Sequence, residues 1–287
     1  MWKYFKHDNS YREWGILGPV EILAGFLIAL AIGATGVGAG SITAPILILF
    51  FGMSASSAVT TSLVFSTIVK LFATPIYLSR GQINFKVLAY IAAGGLPAVI
   101  IGSLLLNHLD KDGLTRPILI IVGITVLISA AGTFWRSMSA QGVAKKPVHP
   151  GWLPAVFAPI GFEVGFSSAG AGALGTLALM RFSTLQPSEI VGTDLAFGLL
   201  LSIFAGGIHA STTGVPWPIL WKLLMGGIPA VLMGTQLTKI VEPRKMRLVL
   251  CVWLIYIGGQ LTWRAIQTPA KTKAPVVAPA GQTIPAK

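Results

Sequence analysis

Four ionisable residues, Lys70, Glu163, Asp194 and His209, lie inside apolar runs, where a charge is costly and its presence points to function. Lys70 is thirteen residues into a run that begins near Ser57. A helix there carries it about 20 Å into a hydrocarbon core of roughly 30 Å, too deep for easy snorkelling. Two roles stay open for it: a cation that neutralises a bound anion, or the permanent partner of Asp194 or Glu163. The two carboxylates are correspondingly either proton carriers or that partner. His209, close to the end of its run, reads as an interfacial or helix-capping histidine rather than a relay member.

Around these groups the sequence sets hydroxyls suited to a small oxyanion: Thr35, Ser41, Thr43, Thr60, Thr61 and Ser62 in one half, and Ser167, Ser168, Thr176 and Thr193 in the other. Any single one could instead bond the carbonyl four residues back in its own helix. With the neighbouring glycines, the expected substrate-binding set is Thr35, Gly38, Gly40, Ser41, Thr43, Thr61, Ser62, Lys70, Ser167, Ser168, Gly170, Gly172 and Thr193. Asp194 and Glu163 are the proton-coupling candidates.

The element that must position them is the stretch from Gly33 to Pro45, which places four glycines and a proline inside a run that would otherwise be one membrane helix. Glycine weakens a helix interior, and backbone released at membrane depth must face protein or a water-filled cavity. A half-helix starting near Ser41 to Thr43 would then aim unpaired N–H groups and its positive dipole end inward, which suits an anion. The competing reading is close helix packing through small residues.

The chain has 287 residues, 54% hydrophobic and only 10% charged, with a mean hydropathy of +0.77. That composition is a polytopic membrane protein, and apolar runs of about 20 residues without dyad alternation make the spans helices. The net charge of +12 sits mainly in short loops and tails, as topology signals do, so nucleic acid is excluded as a partner and the lipid bilayer is the expected one. Cys251 and the scattered His7, His108, His149 and His209 supply no disulfide framework and no zinc spacing; no metal or other cofactor is expected. Ala29-Leu30-Ala31 resembles a cleavage site, but the polar lead from Met1 to Trp14 is acidic as well as basic, so the first segment belongs to the fold.

Hydropathy predicts an all-α polytopic protein of about eight transmembrane segments. They run from Ile16 to Phe51, Ser57 to Leu78, Val87 to Leu106, Pro117 to Phe134, Trp152 to Met180, Ser188 to His209, Ile219 to Leu237 and Leu248 to Ile266. A polar tail covers 1–15, a first membrane unit 16–134, a basic Pro-containing linker 135–151, a second unit 152–267, and a Pro/Ala/Lys tail 268–287 that cannot bury a core. Trp135, Trp152, Trp217, Trp221 and Trp263 fall near segment ends, where aromatic belts anchor helices.

The two units repeat each other. Gly38-Ala39-Gly40 returns as Gly170-Ala171-Gly172, Thr61 as Thr193, Leu63 as Leu195, and Gly94-Gly95-Leu96-Pro97-Ala98-Val99 as Gly226-Gly227-Ile228-Pro229-Ala230-Val231, all at one constant offset along the chain. A single offset over separate motifs indicates two copies of a four-segment unit, each with a Gly-rich broken helix, the second break falling from Gly165 to Thr176. Asp194 stands where the first copy has Ser62.

These breaks, with Pro45, the Ala58-Val59-Thr60-Thr61-Ser62 helix start, the Arg80-Gly81-Gln82-Ile83-Asn84 turn and the paired Gly-Gly-x-Pro helices, make the chain resemble the sulfite exporter TauE/SafE family over nearly its whole length. The resemblance implies an anion permease built from a duplicated four-helix unit. Ser41 departs from the family's usual Gly-x-Gly-Gly-Gly run and adds a hydroxyl to the expected site.

The expected function is secondary transport of a small anion: a sulfur oxyanion, an organosulfonate or a small carboxylate. It would proceed by alternating access between the two units in a cell membrane, the inner membrane in a bacterium. No phosphate-binding loop occurs to supply nucleotide energy, and an enzyme is not expected. Two alternatives remain: a passive anion channel, and an intramembrane serine hydrolase using Ser167 or Ser168 with His209 as base. If every segment crosses once, the N-terminal side holds twelve Lys and Arg against seven opposite, which makes both chain ends cytoplasmic. The first broken segment, 36 residues or about 54 Å as one helix, is too long for a straight span and must break or fold back. A full return would invert one copy relative to the other. The charge count leans to parallel copies, with Lys70 and Asp194 out of direct contact.

Overall fold

The computed structural model describes residues 18–35, 39–111, 149–168 and 170–237, together with isolated helical positions in 120–131 and 255–263. Among the described residues all regular structure is helical. The helices are α1 (Gly18–Thr35), α2 (Ala39–Leu49), α3 (Ala55–Ser79), α4 (Phe85–Lys111), α5 (Leu153–Ser167), α6 (Gly170–Phe182), α7 (Pro187–Thr213) and α8 (Trp217–Leu237), with a 3-10 turn at Pro150–Trp152 before α5. Four are long and apolar enough to cross a membrane: α3, α4, α7 and α8. Gly18–Gly33 is a shorter apolar helix. The segments expected at 117–134 and 248–266 lie mostly outside the described residues. The two tails and most of the linker lie outside them as well.

Local chemistry sets the helix starts. Ser54 caps α3 by accepting from Ser57 N–H at 3.3 Å. Gln186 opens α7 with a capping box, its backbone N–H donating to Glu189 Oε2 at 2.9 Å, and Pro187 occupies the first turn, where its missing N–H costs nothing. α3 and α7 therefore begin at the offset of the sequence repeat, and so do α4 and α8.

Both segments expected to break are broken. α1 ends at Thr35 and α2 restarts at Ala39; α5 ends at Ser167, Ser168 turns the chain with φ 66°, and α6 restarts at Gly170. Left-handed backbone at a non-glycine residue is rare and is held here by its own N–H donating to Val164 at 2.9 Å.

Packing pairs each unit with the other. α1 lies on α8, α4 on α5, and α3 on α7. Glycines allow the first two contacts: a Cβ on Gly25 would strike the Leu223 carbonyl, one on Gly226 the Ile22 carbonyl, one on Gly94 the Pro154 carbonyl and one on Gly102 the Phe162 carbonyl. In each Gly-Gly pair the second glycine lies against a ring of the opposite unit, Gly95 on Phe197 and Gly227 on Phe65, and the two rings are themselves counterparts in the repeat.

The contacts fix helix directions. Gly25 meets Leu223 and Gly33 meets Val231, so α1 and α8 run the same way. Phe65 meets Gly227 and Arg80 reaches Thr235, so α3 shares that direction. Because α1 and α3 are parallel, α2 between them must carry the chain back, and the first break is a re-entrant hairpin. In contrast, Ser56 Oγ lies 3.1 Å from Thr213 Oγ1 while Leu63 packs on Gly206, so α3 and α7 are antiparallel. Helices that correspond in the repeat thus run in opposite directions, which corrects the leaning towards parallel copies. That leaning assumed one crossing per segment, and the return of α2 moves Arg80 and Lys86 to the face opposite the one the count gave them.

Candidate functional site

The long antiparallel contact between α3 and α7 is the central feature of the site, because the break of α5 and α6 opens against it. Ser62 Oγ, seven residues into α3 and so about 10 Å from its start, lies 3.1 Å from Ser168 Oγ at the turn between α5 and α6. Both serines are buried. Here hydroxyls expected from opposite units meet directly.

Asp194, the counterpart of Ser62, is 2% exposed on α7 and accepts from Thr176 Oγ1 of α6 at 2.5 Å. Its other oxygen lies against Gly175, where a Cβ would collide with it. The glycine spacing of α6 therefore makes room for the carboxylate as well as for the break. Lys70 is 4% exposed and within Coulombic range of Asp194. Its height follows from the α3 and α7 register: Ser56 opposite Thr213 and Leu63 opposite Gly206 put Lys70 level with about residue 199, close to the middle of both helices. Asp194 is then about five residues, or roughly 7 Å, along α7 from that level. The buried lysine stands between a serine pair towards one face and a carboxylate with its threonine towards the other.

The other expected residues divide. Thr43, Ser167 and Gly172 are buried at the two breaks. Thr35 ends α1, Gly40 and Ser41 lie in the first turn of α2, Gly170 opens α6, and Gly38 lies outside the described residues. Thr60 and Thr61 bond the carbonyls of Ser56 and Ser57 at 2.9 and 2.7 Å, the self-capping alternative. Thr193 Oγ1 accepts from Asn84 N–H at 3.0 Å and so ties α7 to the loop before α4. Glu163 is half-buried on α5.

His209 is wholly buried and meets the end of α5 rather than of its own helix. Its Nε2 lies 2.9 Å from the Gly165 carbonyl and its Nδ1 3.1 Å from Asn107 Oδ1. Both ring nitrogens thus face partners other than a serine hydroxyl, and Ser168 Oγ faces Ser62, so the serine hydrolase alternative is not favoured.

One ion pair, with its carboxylate buried, escaped the sequence reading. Glu21 in the first turn of α1 is 1% exposed, and its Oε2 lies 2.6 Å from Lys222 Nζ of α8. The rule that singled out Lys70, a charge within an apolar span, would have found both residues. Glu21 sits at a helix N-terminus, which favours an anion, and the pair pins α1 to α8.

Known proteins resemble this chain along most of its length. A Bacillus subtilis (strain 168) protein named "Probable membrane transporter protein YjnA" is 30% identical over 255 residues, covering 84% of this chain and 98% of the relative. No solved structure gives a significant match. Residues 21–261, which include both breaks, both Gly-Gly-x-Pro helices and the buried Lys70, match the family described as Sulfite exporter TauE/SafE. With that match over most of its length and with helices apolar enough to span a bilayer, this chain belongs to the sulfite exporter TauE/SafE family of membrane proteins.

Proposed function

We propose that this protein is a secondary transporter of a small anion, a sulfur oxyanion, an organosulfonate or a small carboxylate. It works by alternating access between two four-segment repeats of inverted orientation. The observation that carries the reading is Lys70, a buried cation near the midpoint of the α3 and α7 crossing, where transporters of repeat architecture bind their cargo. The broken helices support it, since the half-helices α2 and α6 begin inside the fold with N–H groups that suit an anion. The family and the transporter name of the Bacillus relative support it too.

Asp194 gives the reading a coupling step. With Asp194 ionised, Lys70 already has a counter-charge, and an incoming anion competes with the carboxylate for it. Protonation of Asp194 releases Lys70 to the anion, so proton and anion travel together. Thr176, which bonds Asp194 Oδ2, holds the carboxylate in place.

The test is a thermal-shift screen of the purified full-length protein against sulfite, thiosulfate, sulfoacetate, taurine and small carboxylates. At least one of these anions should stabilise the wild type, and Lys70→Met should keep its fold but lose that stabilisation. Loss of folding in Lys70→Met, rescued by neutralising Asp194 or Glu163, would make Lys70 a structural partner instead. Counterflow in liposomes separates a carrier from a passive channel.

A further inference from the structure

Tyr77 on α3 and His209 on α7 occupy corresponding positions of the repeat, and so do Gly33 and Gly165. Tyr77 Oη donates to the Gly33 carbonyl at 3.2 Å, and His209 Nε2 donates to the Gly165 carbonyl at 2.9 Å. Each glycine is third from the end of its helix, α1 or α5, so each carbonyl is among the four that a helix leaves without an internal partner. Both donors are buried, so protein rather than water satisfies these carbonyls just before the chain breaks. The neighbouring helices repeat the pattern: Gly165 abuts Val99 and Ser103 of α4, and Gly33 abuts their counterparts Val231 and Thr235 of α8. One junction is built twice, once behind each re-entrant tip, and the two differ in the donor: a phenol in one and an imidazole in the other.

A carbonyl only accepts, so His209 Nε2 carries a hydrogen. Nδ1 faces Asn107 Oδ1, and Asn107 Nδ2 has no hydrogen-bond partner among the described residues. With Oδ1 towards the ring, Nδ1 must also carry a hydrogen and the ring is an imidazolium. With the amide turned over, Nδ2 donates to a bare Nδ1 and the ring is neutral; which way an amide points is an assignment. Asn107 therefore serves either charge state by rotating in place. α4 presents Ser103 and Asn107, with His108 exposed beside them, and α5 presents the Gly165 carbonyl, with Glu163 half-buried two residues earlier. At that level α3 presents the hydroxyls of Ser56 and Thr60, while Lys70 is about ten residues along the register and Asp194 about four turns along α7.

We propose that Tyr77 and His209 are paired positioning residues that latch the two re-entrant tips, and that protonation of His209 tightens the Ser167 and Ser168 tip while the Gly33 tip stays indifferent to pH. The sign follows from two effects: an imidazolium makes a charge-assisted bond to the carbonyl, and a cation is favoured at the C-terminal end of α5. A tyrosine holds its proton throughout the range in which an imidazole titrates. The inference rests on reading these tips as the walls of the anion site, and it deepens that reading by making one face of the transporter sensitive to acid.

Hydrogen exchange on the full-length protein in nanodiscs tests it without any substrate, so failure here and failure of the transport reading can be told apart. After correction for intrinsic chemistry, peptides spanning Gly165 to Ser168 should exchange roughly tenfold more slowly at about pH 5.5 than at about pH 8. Peptides spanning Gly33 should show no such change. His209→Gln, which keeps an amide donor for the carbonyl, should remain protected and lose the pH dependence. Tyr77→Phe should speed exchange at Gly33 and leave the other tip and its pH profile intact. Exchange at Gly165 to Ser168 that ignores pH in the wild type, a pH dependence that survives in His209→Gln, or an unchanged Gly33 tip in Tyr77→Phe would each overturn the proposal.

Discussion

Asp194 and Gly175 show how a glycine in this protein serves a carboxylate rather than a backbone turn. Gly175 lies inside α6, and its value is the space it leaves for Asp194 Oδ1. Gly175→Ala should therefore displace the carboxylate and break its bond to Thr176 while α6 persists, since alanine favours helix. In liposomes, Asp194→Asn should abolish substrate-driven pH change, read with a trapped pH dye, while tracer counterflow survives. Retained pH change in Asp194→Asn would remove Asp194 from the coupling step. Position 194 also shows what one residue can say: its carboxylate in place of Ser62 is plain in the sequence, but that it faces Thr176 and Gly175, and lies in range of Lys70, depends on how α6 and α7 pack.

Among the elements, the crossings of α1 on α8 and α4 on α5 are the tightest, and they depend on glycines that meet backbone. Gly94→Ala must push α4 off Pro154 and should cost about 1–3 kcal/mol, read as a lower melting temperature of the purified protein. Gly207→Ala is the control, because nothing lies within 4 Å of a Cβ there and alanine favours helix, so it should melt no lower than the wild type. The Glu21 and Lys222 pair joins the same α1 and α8 contact. Glu21→Gln leaves a lysine that is one-third exposed and can reach water, so its cost should fall below the several kcal/mol of a fully buried pair, at about 1–2 kcal/mol. The Gly-Gly-x-Pro motifs were legible as a repeat but not as packing surfaces, since the residues they touch are remote in sequence and come from the opposite unit.

For the whole molecule, the return of α2 between parallel α1 and α3 sets the topology. A reporter inserted at Gly81 to Ile83 should therefore lie on the face opposite a reporter fused ahead of α1, and matching signals from the two would contradict a re-entrant α2. The sequence alone determined that the chain is a helical membrane protein. It also determined where helices start, where two of them must break, and that Lys70 lies deep. Each of these follows from local composition: apolar runs of bilayer length, glycine clusters inside them and a charge counted from a helix end. Only the tertiary structure decided that corresponding helices run in opposite directions, that His209 and Tyr77 satisfy the carbonyls before the breaks, and that Ser62 meets Ser168. Loop charge could not report direction, because a hairpin that returns within the membrane changes the parity of crossings without leaving a charged loop. The partners of buried polar groups could not be read because they are supplied by packing between helices remote in the chain, which no local pattern encodes.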